Sequence, residues 1–213
     1  MHLRPVRQWQ LSFLQLVCVL LAGIYAAALK SAPYSEDAVK AAFIYRFGGY
    51  VDWPPEALTA QHFTIAVLGA EGVAQELSRL LPQHSIRDLP ARLRVIRSVK
   101  ELGNAQILYI GKGYMGNVNA AIDTIAEQPV LVITDDMNGL ERGAVINFVP
   151  LDRRVRFEIS VVAATRANLR IGADLLSVAA RVRSAPVSSE AGCIPGRPGE
   201  QPASMCSRRV ASL

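Results

Sequence analysis

Gly111-Lys112-Gly113-Tyr114-Met115-Gly116 has the spacing G-x-G-x-x-G. It follows an apolar run that reads as a strand and precedes a helical stripe, and Asp135 stands about 20 residues on, at the next strand end. A dinucleotide fingerprint needs close backbone approach, a helix N-terminus for the pyrophosphate and an acid for a ribose hydroxyl. Against that reading, the motif follows the third strand of the chain, whereas the fingerprint normally opens the first. Asn117 also looks like the helix cap, which leaves Gly116 outside the helix. The plainer reading is a glycine-rich loop at a strand end. Asp135-Asp136 invites comparison with acidic pockets that hold magnesium, but these need a third acid on a neighbouring strand end. The first strand ends in Leu68-Gly69-Ala70 with Glu71 beyond, so the pair reads better as a turn in which Asp136 or Asn138 bonds its own backbone.

No G-x-S-x-G elbow occurs, and no cysteine–histidine pair lies in the body of the chain. His2, His62 and His84 have no cysteine or histidine neighbours at ligand spacing. No catalytic residues, no metal site and no cofactor are therefore expected. Gly69, Gly111 and Asp135 stand at strand C-termini, where an open α/β sheet offers a crevice to a small solute, and they are the candidate ligand pocket. A second cluster is aromatic. Phe43, Tyr45, Phe47, Tyr50 and Trp53 lie along one amphipathic segment, in which Tyr45 falls off the stripe and Trp53 stands beside prolines. Core packing accounts for most of it. Phe47, Tyr50 and Trp53 are the candidate partner-binding residues.

The elements that must position these residues follow from periodicity. Ser35 is a plausible helix cap with Glu36 and Asp37 in the first turn, and Val39, Ala42, Phe43, Phe47, Tyr50 and Val51 form a stripe at steps of three and four. Gly48-Gly49 should loosen that helix, and Pro54-Pro55 should end it. Strands are expected at Phe63–Leu68, Leu93–Ile96, Ala105–Ile110 and Val130–Thr134. Helices are expected from Val73 to Leu81 and from Val118 to Ala126. A hairpin of Ala144–Val149 and Val155–Ile159 follows, then a short helix over Val161–Arg166, an extended Leu169–Ile171 and a last helix over Gly172–Val182. Uniformly apolar strands alternating with helices predict an α/β fold: a mostly parallel sheet with helices on both faces and an antiparallel edge hairpin.

The 213 residues are 51% hydrophobic and 19% charged, which suits one domain with a sizeable core. Residues 1–28 read as a signal peptide: Arg4 and Arg7, a nearly unbroken apolar run from Leu11, and the small-residue exit Ala26-Ala27-Ala28. The alternative is an uncleaved anchor, because 18 residues approach the roughly 20 that span a bilayer. Either way the remaining chain is exported, which for this kind of leader means periplasmic, where little free dinucleotide is met. Removing Arg4 and Arg7 leaves 21 basic against 18 acidic residues with no long basic run, so no nucleic-acid partner is expected. The local clusters Arg92, Arg94, Arg97 and Arg153, Arg154, Arg156 read as solvated strand faces. Residues 35–183 form the domain. Residues 184–213 turn to Pro, Gly, Ser, Arg and Glu and read as a disordered tail, in which Cys193 and Cys206 could pair across a 12-residue gap.

Three stretches together resemble the YfiR-like family of bacterial periplasmic proteins. They are Lys40 to Pro54 (Lys-Ala-Ala-Phe-Ile-Tyr-Arg-Phe-Gly-Gly-Tyr-Val-Asp-Trp-Pro), Phe63 to Gly69, and Val155 to Ser160 followed by Leu169–Ile171 and Leu175-Leu176. The resemblance covers roughly Ala38 to Val182. It implies a small non-enzymatic α/β regulator that restrains a membrane-bound signalling protein, typically a diguanylate cyclase, by contacting its periplasmic region, and it implies a tendency to homodimers. The chain departs from the best-known members in having no cysteine between Leu29 and Gly192, so internal disulfide control is not expected. Two other readings stay open: a periplasmic small-molecule-binding sensor at the strand ends, and a nucleotide-binding enzyme using the Gly111–Gly116 loop.

Overall fold

The computed structural model describes residues 35–184, so the leader, the tail beyond Ser184 and the three cysteines lie outside the described residues. Helix α1 (Glu36–Tyr50) starts where Ser35 Oγ accepts the Ala38 N–H at 3.1 Å, with Glu36 and Asp37 beside the positive end of the helix dipole. It runs through Gly48-Gly49 instead of loosening there. Gly48 is buried against Ile86, where a Cβ would come within 2.6 Å of the Ile86 side chain, so the glycine permits close packing of the helix. The buried face of α1 is Lys40, Ala41, Ile44, Phe47 and Gly48, which corrects the expected stripe: Ala42 and Tyr50 are exposed, and a lysine takes an inward position.

Strand β1 (Val51–Asp52) pairs antiparallel with β9 (Arg170–Ile171) in a two-residue ladder. The main sheet contains β2 (Phe63–Leu68), β3 (Ser85–Ile86), β4 (Leu89–Ile96), β5 (Ile107–Ile110), β6 (Leu131–Thr134), β7 (Ile146–Leu151), β8 (Arg154–Ser160) and β10 (Arg181–Arg183). Their spatial order is β10-β8-β7-β6-β5-β2-β4-β3. The central strands are parallel, β7–β8 and β3–β4 are antiparallel hairpins, and β10 joins β8 in parallel. This is the expected mostly parallel α/β sheet.

Alternation along the central strands divides the core in two. Phe63, Ile65 and Val67 of β2, with Ile107, Tyr109, Leu131 and Ile133, pack under α1 and α2 (Glu71–Leu80). Ala66, Leu68, Leu108, Ile110 and Val132 face the other way, onto Ile122 of α3 (Val118–Asp123) and Ile125. Strands buried on both sides must be apolar throughout, which is why they read as continuous runs. Helix α4 (Val161–Arg166) is capped by Ser160, whose Oγ accepts the Ala163 N–H at 3.2 Å.

The last expected helix is shorter than its pattern. Helix α5 spans Ala173–Ser177, and the chain then extends so that Arg181–Arg183 pairs with Glu158–Ser160. Arg181 there donates to Glu158 at 2.7 Å. At the other edge, β3 covers only Leu89 and Pro90 of β4. Among the described residues no helix is long and apolar enough to cross a membrane.

Candidate functional site

A cleft of about 670 Å³ opens between the first turns of α1, the C-terminal end of β6 and the β7–β8 hairpin. Its polar floor begins with Lys40. The buried face of α1 points the Lys40 ammonium at Asp135, one residue past the end of β6, and the two form an ion pair whose side chains are 6% and 8% exposed. Lys40 also donates to Glu36, one turn earlier, at 2.5 Å. Lys112, on the glycine loop, lies 3.3 Å from the second Asp135 oxygen. Asp135 is thus held by two lysines from different elements.

Burial alone would pull the Lys40 ammonium below its ordinary value, but the hydrogen bonds and charges of Asp135 and Glu36 outweigh it and raise the pKa. Tyr109 lies beneath, on β5. Burial first, then the Asp135, Asp37 and Glu36 charges, push its phenol far upward. Both groups hold their protons at neutral pH, which is unsuited to acid–base exchange there.

The cleft has an apolar wall of Val39, Phe43, Phe148, Pro150 and Val155, and a rim carrying Arg153, Arg154 and Arg156. Phe43 anchors the wall by stacking on Phe47 at 5.9 Å and meeting Phe157 edge-on at 5.5 Å. Asp152 and Arg153 form the two-residue turn of the hairpin, with φ of 51° and 57°. Such turns favour Asn-Gly, because a left-handed side-chain-bearing residue costs about 1 kcal/mol or more. The β3–β4 hairpin uses the same conformation at Arg87 and Asp88, and there Arg87 is held by the Val51 carbonyl and by Asp52 at 2.5 Å. Among the described residues no ion pair holds Arg153.

The candidate ligand residues are only partly brought together. Gly111 and Asp135 line a smaller pocket of about 290 Å³ with Tyr114 and Met137. Gly69 is turned away into the loop packing: its carbonyl accepts the Gly113 N–H at 3.0 Å, and its φ of +67° lets the Tyr114 backbone sit against its α-carbon. A Cβ on Gly111 would meet Ala70 and the Gly69 carbonyl, one on Gly113 would meet the same carbonyl, and one on Gly116 would meet the Tyr114 ring. The glycines of the G-x-G-x-x-G run therefore accommodate this chain's own loops. The following helix is capped internally by Asn117, which accepts from Ala120 at 3.1 Å. Asp136 closes the expected turn by accepting from the Asn138 N–H at 3.1 Å.

Of the candidate partner residues, Phe47 is 1% exposed and Trp53 7%, whereas Tyr50 is 41% exposed. Phe47 packs against Phe148 and Phe157, and Trp53 meets Phe63 edge-on at 5.1 Å. Phe47 and Trp53 are therefore core residues, and Tyr50 alone of the three is at the surface. Lys40 was not singled out in the sequence, because hydrophobic periodicity assigns lysines to the solvent. Its only signals were Glu36 one turn before it and a break in the apolar stripe.

A family sequence model described as DUF4154: YfiR/HmsC-like matches residues 37–180. A search of curated proteins gave no match. Among solved structures, an ABC domain in complex with L-Trp from Streptococcus pneumonia matches with a TM-score of 0.39 at 12% identity, over 60% of this chain and 57% of that one. A conserved domain protein from Vibrio cholerae O1 biovar eltor matches with a TM-score of 0.40 at 12% identity, over 61% and 57% respectively. The chain thus spans little more than half of each, and likeness at this level carries no argument.

Proposed function

This chain belongs to the YfiR/HmsC-like family of periplasmic, non-catalytic regulators, and from that premise we propose that it restrains an inner-membrane signalling protein, a diguanylate cyclase, by direct contact with that protein's periplasmic region. The observation that carries the proposal is the family match, which runs through α1, the central sheet and α5 without interruption. Residues 1–28 serve as the export signal in this reading. Tyr50, 41% exposed at the end of α1, provides the contact.

Restraint by contact requires that the protein bind the inactive state of its partner more tightly than the active state, and the difference in affinity sets how far the output is held down. An envelope signal that weakens the contact releases the output. Such a device needs no turnover, in keeping with a polar cluster whose lysine and tyrosine keep their protons.

The test is cellular cyclic di-GMP in a deletion strain, complemented either with the full chain or with a chain lacking residues 1–28. A rise on deletion, reversed only by the full chain, supports restraint from the periplasm. Unchanged cyclic di-GMP under several envelope stresses refutes the cyclase as partner. Tyr50→Ala should restore less repression than the wild type at equal protein level.

A further inference from the structure

We propose that the cleft between α1 and the β7–β8 hairpin binds a small free organic anion, with its carboxylate or phosphate held by the Lys112 and Arg153 side of the rim and its apolar body against Phe43 and Phe148. This goes beyond the partner contact and does not depend on it. It places the ligand beside Asp135 but away from Gly69.

Size permits it, since about 670 Å³ falls within the range of small-molecule sites. Charge sets the class of ligand. Five cations line the cleft (Lys40, Lys112, Arg153, Arg154 and Arg156) against two acids, Glu36 and Asp135, leaving an excess of three positive charges. Both acids are already engaged by Lys40, so they neutralise the floor, and the surplus is at the rim. Lys112 is 68% exposed and touches Asp135 only at 3.3 Å, so its ammonium has donors to spare for an anion. The wall opposite is aromatic and aliphatic, which excludes a bare inorganic ion as the best fit and favours an anion carried on a ring or short chain.

The hairpin supplies an independent observation. Among the described residues two arginines occupy left-handed turn positions, and the strain at Arg87 is offset by its bonds to Val51 and Asp52. Arg153 adopts the same costly conformation at the mouth of the cleft without an ion-pair partner among the described residues. A turn retained with arginine where glycine would be easier implies that the side chain is needed for something outside the chain's own contacts.

The experiment is titration calorimetry of the purified full chain with phenyl phosphate and benzoate. Benzyl alcohol, inorganic phosphate and phosphatidylglycerol vesicles serve as comparison probes. At least one of the two aromatic anions should bind with a Kd below about 1 mM, and more tightly than benzyl alcohol or inorganic phosphate. Lys112→Glu and Arg153→Glu should each weaken that binding about tenfold, and Arg92→Glu, on distant β4, should leave it unchanged. Arg153→Gly separates the site from the fold: it should raise the thermal midpoint by relieving the turn while binding weakens. The proposal is overturned by no binding of either aromatic anion, by benzyl alcohol binding equally well, by binding to vesicles alone, or by cleft variants that bind as the wild type does.

Discussion

Lys40→Met tests whether the Lys40–Asp135 pair is a buried electrostatic element of the fold. Methionine retains much of the aliphatic stem and removes the ammonium, so packing changes little while Asp135 loses its main cation. Removing one partner of a buried pair typically costs about 3–5 kcal/mol, because the remaining charge stays desolvated. Here Lys112 remains 3.3 Å from Asp135 and the cleft admits water beside it, so the expected cost is nearer 3 kcal/mol. For a domain of this size that corresponds to a fall in Tm of roughly 6–12 °C. Glu36 is 63% exposed, so Glu36→Gln should cost no more than about 0.5 kcal/mol. The assay is urea unfolding followed by circular dichroism, for Lys40→Met, Glu36→Gln, Asp135→Leu and Lys40→Met/Asp135→Leu. The double variant removes both charges and should recover most of the loss. A Lys40→Met cost below about 1 kcal/mol, or additive losses in the double variant, would refute the reasoning.

The adjacent glycines of α1 should respond in opposite directions: Gly49→Ala, with open space around a new Cβ, stabilises by about 0.5–1 kcal/mol, whereas Gly48→Ala drives into Ile86 and destabilises by about 1–3 kcal/mol, both read by thermal melts. Gly69→Ala adds a Cβ 2.3 Å from the Tyr114 backbone nitrogen at positive φ, and should lower the midpoint of chemical unfolding sharply or abolish soluble expression. Alkaline pH should destabilise the fold. The unfolded chain loses the Tyr109 and Lys40 protons near their ordinary values of 10.0 and 10.5, whereas the folded chain holds both more tightly, so stability is intact below pH 10 and falls as pH rises through the raised values. Unfolding free energy measured from pH 8 upward should show that slope, reduced in Lys40→Met, and a flat profile would contradict it.

Strand runs, caps and the mixed sheet were legible because each follows a local rule. Phe63–Leu68 and Leu131–Thr134 are apolar on both faces, and Ser35, Asn117 and Ser160 each cap as their types suggest. The errors share one cause: a long-range partner overriding the local pattern. Glycines that should break α1 instead let Ile86 approach, and a helical stripe ending at Val182 is drawn into the sheet by Glu158–Ser160. Lys40 was invisible because the compensating acid lies 95 positions away, beyond any periodicity. The cleft follows from that same contact. Asp135 was marked as a strand-end acid, but only the fold brings it to α1 and sets the Arg153 turn over the same opening.

The borders of the main sheet bear on how copies of the protein can meet. On one side the outermost strand is three residues long with arginine at each end, and Arg181 is tied back to Glu158. On the other, β3 covers β4 only at Leu89 and Pro90, and the run beyond carries Arg92 and Arg94. Short strands, proline and like charges are the features that stop one sheet from extending into another, since two such borders would repel and leave backbone groups unpaired. Arg92, which read as part of a solvated strand face in the sequence, is exposed on this border, whereas Arg94 is half-buried and donates to the Leu102 carbonyl at 2.6 Å. A homodimer joined through helices or loops would leave each sheet discontinuous with its neighbour's.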